Sequence, residues 1–333
     1  LPRFLKPTPL LLVSALLFWA CGGGSGGAPV PTGSRLSQAA LVGDLKALAD
    51  PAMEGRKRGT SGNELARRMI EQRFASLGLE PFGSSFRQAF TSPYGDGMNV
   101  VGRIQGTQFP ERYLLLTAHF DHIGTSGTSV FCGADDNASG TAAVLQMAGY
   151  LKGHPPARSV AFCLFDGEEE GLLGSEAFAS APPAPLTLAK IDVVVNLDMV
   201  AQGTKGRIFV GGTTATPSLK PHLLAGFAGA KVAVVPDFEA FDAKSDQHPF
   251  QARGLPFLFF CVADDDPYYH TLQDTFERIP QDFYWGAAEA ILATLLQLDA
   301  QASLPGLQAP ARSLKPFEVR FQAHPWKGRP GAR

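Results

Sequence analysis

The chain has 333 residues, of which 45% are hydrophobic and 18% are charged, and its formal net charge is −2 at pH 7. These values are typical of an ordinary globular protein, and the near-neutral charge argues against nucleic acid as a partner. Apart from Cys21, three cysteines stand far apart in the chain, which is not the pattern of a disulfide framework.

The first residues resemble an export signal. Arg3 and Lys6 precede an apolar run that is too short to span a membrane, LLLVSALLFWA. Cys21 follows at once, as in bacterial lipoprotein signals, so we interpret residues 1–21 as a signal peptide with a lipidated cysteine. This predicts an exported protein held at the cell envelope through Cys21. A plain secretory signal and an uncleaved anchor remain as alternatives.

Composition divides the rest of the chain into three parts. Residues 22–34 are rich in Gly and Pro and read as a linker. Residues 35–300 carry the alternating apolar segments of one folded domain. Residues 301–333 form a basic tail containing Pro and Gly, with six Lys or Arg residues against Glu318 alone.

The elements of the domain follow one another in a regular order. Apolar residues at helical spacing predict helices over 35–48 and 63–77, and further helices in SGTAAVLQMAGYLKG, GLLGSEAFAS and residues 281–298. Strands are predicted in FRQAF, MNVVGRI, RYLLLTAHF, ARSVAFCLF, KIDVVVNLDMV, RIFVGG, KVAVVPD and LPFLFFCV. The alternation predicts an α/β fold: a single domain with a central mixed, largely parallel β-sheet flanked by helices on both faces.

Polar clusters follow the predicted strands, where open α/β sheets place their functional groups. Each cluster alone has an ordinary explanation as a cap or a turn, but the coincidence of five at one edge favours a functional site. The clusters are HFDH after RYLLLTA, DGEEEG after SVAFCLF, Asp198 after VVVNL, His270 in ADDDPYYHT, and the loop GADDNASG. Imidazoles and carboxylates in this number suit a pair of divalent metals such as zinc, with one further carboxylate as a proton acceptor.

Five motifs together resemble the family of co-catalytic zinc aminopeptidases. In chain order they are AHFDH, GADDNASG, EEEGLLGS, NLDM and YHTLQDT. That family also contains glutamate carboxypeptidase II and, as relatives, the glutaminyl cyclases. The resemblance extends from Leu36 to Leu298. It implies the zinc exopeptidase fold and two Zn²⁺ ions as cofactors.

The resemblance also assigns the metal ligands. His119 and Asp198 match the ligands of one zinc, and Glu169 and His270 match those of the other. Asp136, rather than its neighbour in the sequence, matches the carboxylate that bridges the two metals. The family pattern further implies a cis peptide bond after this bridging aspartate.

Other residues receive roles around the metals. Glu168 matches the general base, and Asp121 matches a carboxylate that orients the imidazole of His119. Tyr269 matches a hydrogen-bond donor to the developing oxyanion, with Tyr268 as its rival. Glu170 is expected to point to water. Gln247 stands where many members of the family have histidine, and no role is matched by His122, His154, His222, His248 and His324.

The function implied is that of an aminopeptidase. A water activated by the metals attacks the first peptide bond of a peptide with a free N-terminus, and Glu168 moves the proton. A glutaminyl cyclase on the same fold is the first alternative, and a catalytically inactive, receptor-like relative is the second. The sequence does not indicate which N-terminal residue is preferred.

Overall fold

The computed structural model describes residues 34–306. The predicted signal peptide, Cys21 and nearly all of the linker and the basic tail lie outside this range, so the assignments made for them stay predictions. Within the described range, none of the helices combines the length and the apolar character that crossing a membrane requires.

The strands within residues 34–306 are β1 (Arg87–Ser92), β2 (Gly95–Ile104), β3 (Phe109–His119), β4 (Thr125–Ser126), β5 (Ser129–Val130), β6 (Arg158–Phe165), β7 (Ile191–Leu197), β8 (Arg207–Gly211), β9 (Ala233–Val235) and β10 (Phe257–Cys261). Eight of them form one mixed sheet with the spatial order β1-β2-β6-β3-β7-β10-β8-β9. The four neighbours β6, β3, β7 and β10 run parallel to one another, whereas β1, β2 and β8 each have an antiparallel partner. The two short strands β4 and β5 pair as a separate hairpin.

Seven α-helices lie within the described residues. Two of them begin at polar side chains that accept a backbone hydrogen bond, since Ser37 caps α1 and Thr60 caps α2. The helices are α1 (Gln38–Leu48), α2 (Ser61–Ser76), α3 (Gly140–Gly153), α4 (Leu173–Ser180), α5 (Lys220–Gly226), α6 (His248–Gln251) and α7 (Gln281–Asp299). Of these, the short α5 and α6 are absent from the sequence-based prediction.

The sheet is buried on both faces because its central strands carry apolar side chains at successive positions. Along β3, Leu114 and Leu116 pack into the core shared with α1, α2, α3, α5 and α7. Tyr113 and Leu115 point the other way, into the core shared with α4 and α6. The predicted α/β domain, with a mixed sheet between two helical layers, is confirmed.

The parallel centre of the sheet decides where the polar segments meet. Strands β3, β6, β7 and β10 all end at the same edge of the sheet, and each is followed directly by a polar segment. Residues far apart in the chain are thereby brought to one place.

Candidate metal centre

Two clusters of imidazole and carboxylate groups lie side by side at this edge. In each cluster the candidate donor atoms are all within 4.8 Å of one another. The first cluster contains His122, Asp136, Glu169 and His270, and the second contains His119, Glu168 and Asp198.

The carboxylate of Asp136 lies between the two clusters. Its Oδ1 is 3.5 Å from Nε2 of His119, and its Oδ2 is 3.1 Å from Nε2 of His270. Nε2 of His119 is also 3.2 Å from Oδ1 of Asp198, and Nε2 of His270 is 3.0 Å from Oε2 of Glu169. The structure thus brings all five sequence-predicted ligands together, with Asp136 facing both sides.

The loop before α3 turns Asp136 towards the site and its neighbour Asp135 away from it. The backbone N–H groups of Asp135 and Asp136 donate to the carboxylate of Asp274 over 2.8 and 3.1 Å. The carboxylate of Asp135 accepts a hydrogen bond from the N–H of Ala201 over 2.7 Å. The peptide bond between Asp136 and Asn137 is cis, as the resemblance implies.

Asp121 fixes both the ring of His119 and the backbone that carries the glutamates. Nδ1 of His119 lies 3.2 Å from the carbonyl oxygen of Asp121 and 3.7 Å from its Oδ1. The two carboxylate oxygens accept hydrogen bonds from the N–H groups of Glu168 and Glu169, over 3.1 and 3.3 Å. Asp121 therefore fixes the positions of His119, Glu168 and Glu169 relative to one another.

Glu168 and Glu169 are adjacent in the sequence, but their surroundings shift their acidity in opposite directions. Burial raises the pKa of Glu168 well above its usual range, with His119 opposing and Asp198 reinforcing the shift. Burial also acts to raise the pKa of Glu169, but the contacts with His122 and His270 outweigh it and lower that pKa well below its usual range. The two neighbouring carboxyl groups thus differ in acidity, as paired acids with different roles commonly do.

The donor atoms fit divalent metal ions such as zinc. Imidazole nitrogen and carboxylate oxygen are both zinc ligands, and buried carboxylates crowded together need positive charge nearby. Nε2 of His270 faces two carboxylates, yet it makes no hydrogen bond of acceptable geometry within residues 34–306. A ring nitrogen that faces two carboxylates in this way is placed to share a cation with them. Geometry alone leaves Glu168 as a third donor beside His119 and Asp198.

The expectation that Glu170 points to water is wrong, because its side chain is only partly exposed and pairs with Arg58. Oε2 of Glu170 accepts a hydrogen bond from Nε of Arg58 over 2.7 Å, and the side chain is 24% exposed. Arg58 also donates to the carbonyl oxygens of Tyr94 and Asp96 over 2.7 Å each. The sequence could not indicate this contact, because Arg58 and Glu170 lie far apart in the chain.

Two tyrosines lie next to His270. The ring of Tyr269 stacks on the His270 ring with 3.9 Å between centroids, and Tyr269 remains 54% exposed. The hydroxyl of Tyr268 accepts a hydrogen bond from Nη1 of Arg278 over 3.1 Å. Of the two rivals, Tyr269 is the one that lies directly on a predicted ligand.

Gln247 supports the sheet from behind the site. Its Oε1 accepts a hydrogen bond from Nδ2 of Asn196 over 2.9 Å, and its Nε2 donates to the carbonyl oxygen of Asp242 over 2.9 Å. Asn196 in turn accepts from Oγ1 of Thr117 over 2.6 Å. The amide therefore ties β3 and β7 to the loop before α6.

Besides Asp274, sequence reasoning missed two buried residues that build the site. Arg56 is fully buried, and its guanidinium donates to the carbonyl oxygens of Leu48, Phe120, Cys132 and Gly133 over 2.6–2.8 Å. In the sequence Arg56 is followed by Lys57 and Arg58 and preceded, two positions earlier, by Glu54. Such a charged stretch resembles a solvated loop.

His122 is the second missed residue. Its Nδ1 lies 2.6 Å from Oε1 of Glu169 and 3.7 Å from Oδ2 of Asp136. The signal that could have found it is its position inside AHFDH, directly after two residues that were assigned roles. The resemblance gave no function to that position.

An α/β sheet with two adjoining imidazole–carboxylate clusters beyond its parallel strands defines a candidate metal-dependent enzyme. Residues 99–295 match peptidase family M28, so the chain belongs to this family of peptidases.

The chain is similar to several known proteins. It is 27% identical over 237 residues to aminopeptidase YwaD of Bacillus subtilis (strain 168), which covers 69% of this chain and 48% of that protein. It is 28% identical over 232 residues to leupeptin-inactivating enzyme 1 of Streptomyces exfoliatus, which covers 69% of this chain and 50% of the relative. The chain thus spans about half the length of these curated relatives.

Solved structures share the fold at lower identity. BSAP, a zinc aminopeptidase from Bacillus subtilis, superposes with a TM-score of 0.66 at 16% identity, over 82% of this chain and 98% of that one. A glutaminyl cyclase from Porphyromonas gingivalis gives a TM-score of 0.66 at 18% identity, over 79% and 99%. Because proteins of different activity share this architecture, the likeness carries the fold alone.

Proposed function

We propose that this protein is an aminopeptidase that binds two zinc ions. His119 and Asp198 would hold one zinc, Glu169 and His270 the other, and Asp136 would bridge them. The observation that carries the proposal is the carboxylate of Asp136, with one oxygen 3.5 Å from His119 and the other 3.1 Å from His270. A carboxylate shared by two ligand clusters is what a pair of neighbouring metals requires.

When bound, the zinc ions would polarise the scissile carbonyl and make an attacking water more acidic. Glu168 accepts the proton of that water and passes it to the amine that leaves. This role is supported by its position beside His119 and Asp198 and by a pKa raised well above the usual range through burial. A carboxylate positioned beside the reacting water can take a proton and return it to the leaving group.

The remaining side chains bind and orient. The hydroxyl of Tyr269 donates a hydrogen bond to the oxyanion that develops on the carbonyl. Its place beside the proposed metal ligand His270 and its exposure to solvent support this role. Asp121 keeps His119 and the glutamate backbone in place. The substrates are peptides with a free N-terminus, which the name of one curated relative, aminopeptidase YwaD, supports. No nucleic acid is proposed as a partner.

Metal analysis and a substrate panel test the proposal together. The purified protein, dialysed against zinc and then freed of excess, is expected to retain two zinc ions per chain. It should cleave an unblocked aminoacyl anilide and leave the N-acetylated anilide intact. Cyclisation of an N-terminal glutamine peptide without hydrolysis would assign the protein to the glutaminyl cyclases instead. Two bound zinc ions with no turnover of any of the three would indicate an inactive relative.

We also propose that the protein is exported and held at a bacterial membrane through a lipid on Cys21. The support is the sequence of residues 1–21 alone, with its positive start, its short apolar core and the cysteine that follows.

A further inference from the structure

His122 occupies a place in the site that none of the assigned roles explains. The residue is buried, and its ring meets the ring of His270 edge-on at 5.7 Å between centroids. Its Nδ1 faces the carboxylates of Glu169 and Asp136. The residue follows His119 by three positions, so the same strand end supplies imidazole to both clusters.

The position of the His122 ring is fixed by its neighbours. Gly133 has a φ of +58°, and a Cβ at that position would lie 2.6 Å from the His122 ring and 2.2 Å from the carbonyl oxygen of Asp136. Only glycine leaves room for the ring there. The backbone N–H of His122 also donates to the carbonyl oxygen of Arg56 over 3.4 Å. The imidazole is thus held between Gly133 and Glu169.

The donor separations distinguish a metal ligand from a hydrogen-bonding partner. Two atoms bound to one tetrahedral zinc at about 2.0–2.2 Å lie about 3.3–3.6 Å apart. Nε2 of His119 is 3.2 and 3.5 Å from its two carboxylate neighbours, close to this range, and Nε2 of His270 is 3.0 and 3.1 Å from its own, slightly below it. Nδ1 of His122 is only 2.6 Å from Oε1 of Glu169, which is the separation of a charge-assisted hydrogen bond.

The two oxygens of Glu169 therefore have different partners. Oε2 lies 3.0 Å from Nε2 of His270 and faces the metal position, whereas Oε1 lies against His122. We propose that His122 is a positioning residue, whose Nδ1–H holds Oε1 of Glu169 so that this glutamate binds metal through Oε2 alone. A ligand fixed in this way does not rotate to offer both oxygens, so a bound metal would keep a coordination position for substrate or water.

The inference rests on the proposed zinc site, so the wild-type protein is measured first. Zinc affinity is determined by competition with a chromogenic chelator, and long-range ¹H–¹⁵N spectra of the zinc-loaded protein report which histidine nitrogens bind metal. Wild-type protein that binds no zinc overturns the proposed function itself, whereas every later outcome concerns His122 alone.

Three variants are then compared. His122→Ala removes the donor, His122→Asn retains an N–H donor near the position of Nδ1, and His154→Ala removes an exposed histidine that stacks on Tyr150 as a control. We expect His122→Ala to weaken one of the two zinc sites by about 10–100-fold, the usual effect of losing such a partner. His122→Asn should recover about half of that loss or more on a logarithmic scale, and His154→Ala should match the wild type.

The spectra give the second readout. We expect two histidines with a metal-bound nitrogen in zinc-loaded wild type, and a protonated Nδ1 on His122. Three metal-bound histidines, one of which vanishes in His122→Ala, would make His122 a ligand and overturn the proposal. Unchanged zinc affinity in His122→Ala would also overturn it, as would a loss that His122→Asn does not relieve. Circular dichroism with chelator present verifies that each variant is folded.

Discussion

Two neighbouring glutamates with opposite shifts in acidity give a direct test of the division of roles. Glu168→Gln keeps the size of the side chain but cannot accept a proton. We expect zinc content to stay at the wild-type value and kcat to fall by about 10²–10⁴, the usual contribution of a general base. Metal analysis and steady-state kinetics on the same preparation measure both. Loss of zinc in this variant would make Glu168 a ligand, as its distance from His119 and Asp198 also allows.

Glu170→Gln is the matched control two residues further along the chain. Losing the ion pair with Arg58 should lower the free energy of unfolding by up to about 1 kcal/mol, because the carboxylate is partly exposed. We expect kcat to remain within about threefold of the wild type and zinc content to be unchanged. If Glu170→Gln were inactive and Glu168→Gln active, the general base would have been assigned to the wrong glutamate of this segment.

Asp242 makes stability depend on pH at a place away from the metal ligands. Burial and the charge of Glu239 raise the pKa of Asp242 from 3.8 to about 6, with the N–H of Gly212 opposing. Between these two pH values the unfolded chain has already lost the proton that the folded chain retains. The free energy of unfolding therefore falls as the pH rises from about 4 to about 6.

Replacing the ionisable group should remove this dependence. In Asp242→Asn we expect the difference in Tm, variant minus wild type, to be more positive at pH 7 than at pH 4. Thermal unfolding across this pH range, followed by circular dichroism, measures it. A difference that stays constant with pH would mean that Asp242 titrates alike in the folded and unfolded chain.

At the scale of elements, the contact between α5 and α7 depends on a glycine. A Cβ on Gly226 would lie 2.2 Å from Oγ1 of Thr294 and 2.5 Å from its backbone nitrogen. Gly226→Ala should therefore push the helices apart and lower the free energy of unfolding by about 1–3 kcal/mol, as overpacking usually does. Denaturant unfolding measures the change.

Gly43 in α1 provides the control for helix propensity. Nothing lies within 4 Å of a Cβ built there, so Gly43→Ala should stabilise the protein by up to about 1 kcal/mol. If Gly226→Ala stabilised the protein as Gly43→Ala does, the contact between α5 and α7 would not require glycine at position 226.

The elements that could be predicted from the sequence are those whose own residues show a clear apolar pattern. The strands around Leu115, Ala161 and Val194 are apolar throughout, and the ligands directly follow such strands, so order along the chain was enough to find them. The short helices α5 and α6 have too few turns to establish a period.

Arg56, Asp274 and His122 were not assigned roles for a different reason. What defines them is contact with residues distant in the chain: Arg56 with Phe120, Asp274 with Asp136, and His122 with Glu169. A basic or acidic residue in a loop looks the same in a sequence whether it is solvated or buried. Only the tertiary structure separates these cases.

For the whole molecule, bound metal should contribute to stability. A ligand that binds only the folded state adds about 2.7 kcal/mol when its concentration is 100 times its Kd. We expect a chelator to lower Tm and added zinc to restore it. Asp136→Asn, which weakens the group shared by both clusters, should reduce this response. A wild-type Tm that is indifferent to chelator would contradict the proposed zinc sites.

The proposed membrane attachment concerns the chain outside the described residues. We expect the full-length protein to partition with the membrane fraction, since lipid chains anchor stably when more than one is attached. Cys21→Ala should release the protein or leave its signal unprocessed. Fractionation followed by immunodetection measures this, and wild-type protein found entirely in the soluble exported fraction would refute lipidation.

The parallel centre of the sheet has a consequence for the synthesis and folding of the chain. The ligands run from His119, at the end of β3, to His270, beyond β10, and no shorter stretch of the chain contains all of them. A nascent chain that still lacks β10 also lacks His270, so the first cluster is incomplete. Non-local pairing of this kind is slow to form. If hydrolysis needs both clusters, as proposed, it can begin only after β10 and the segment that carries His270 have docked.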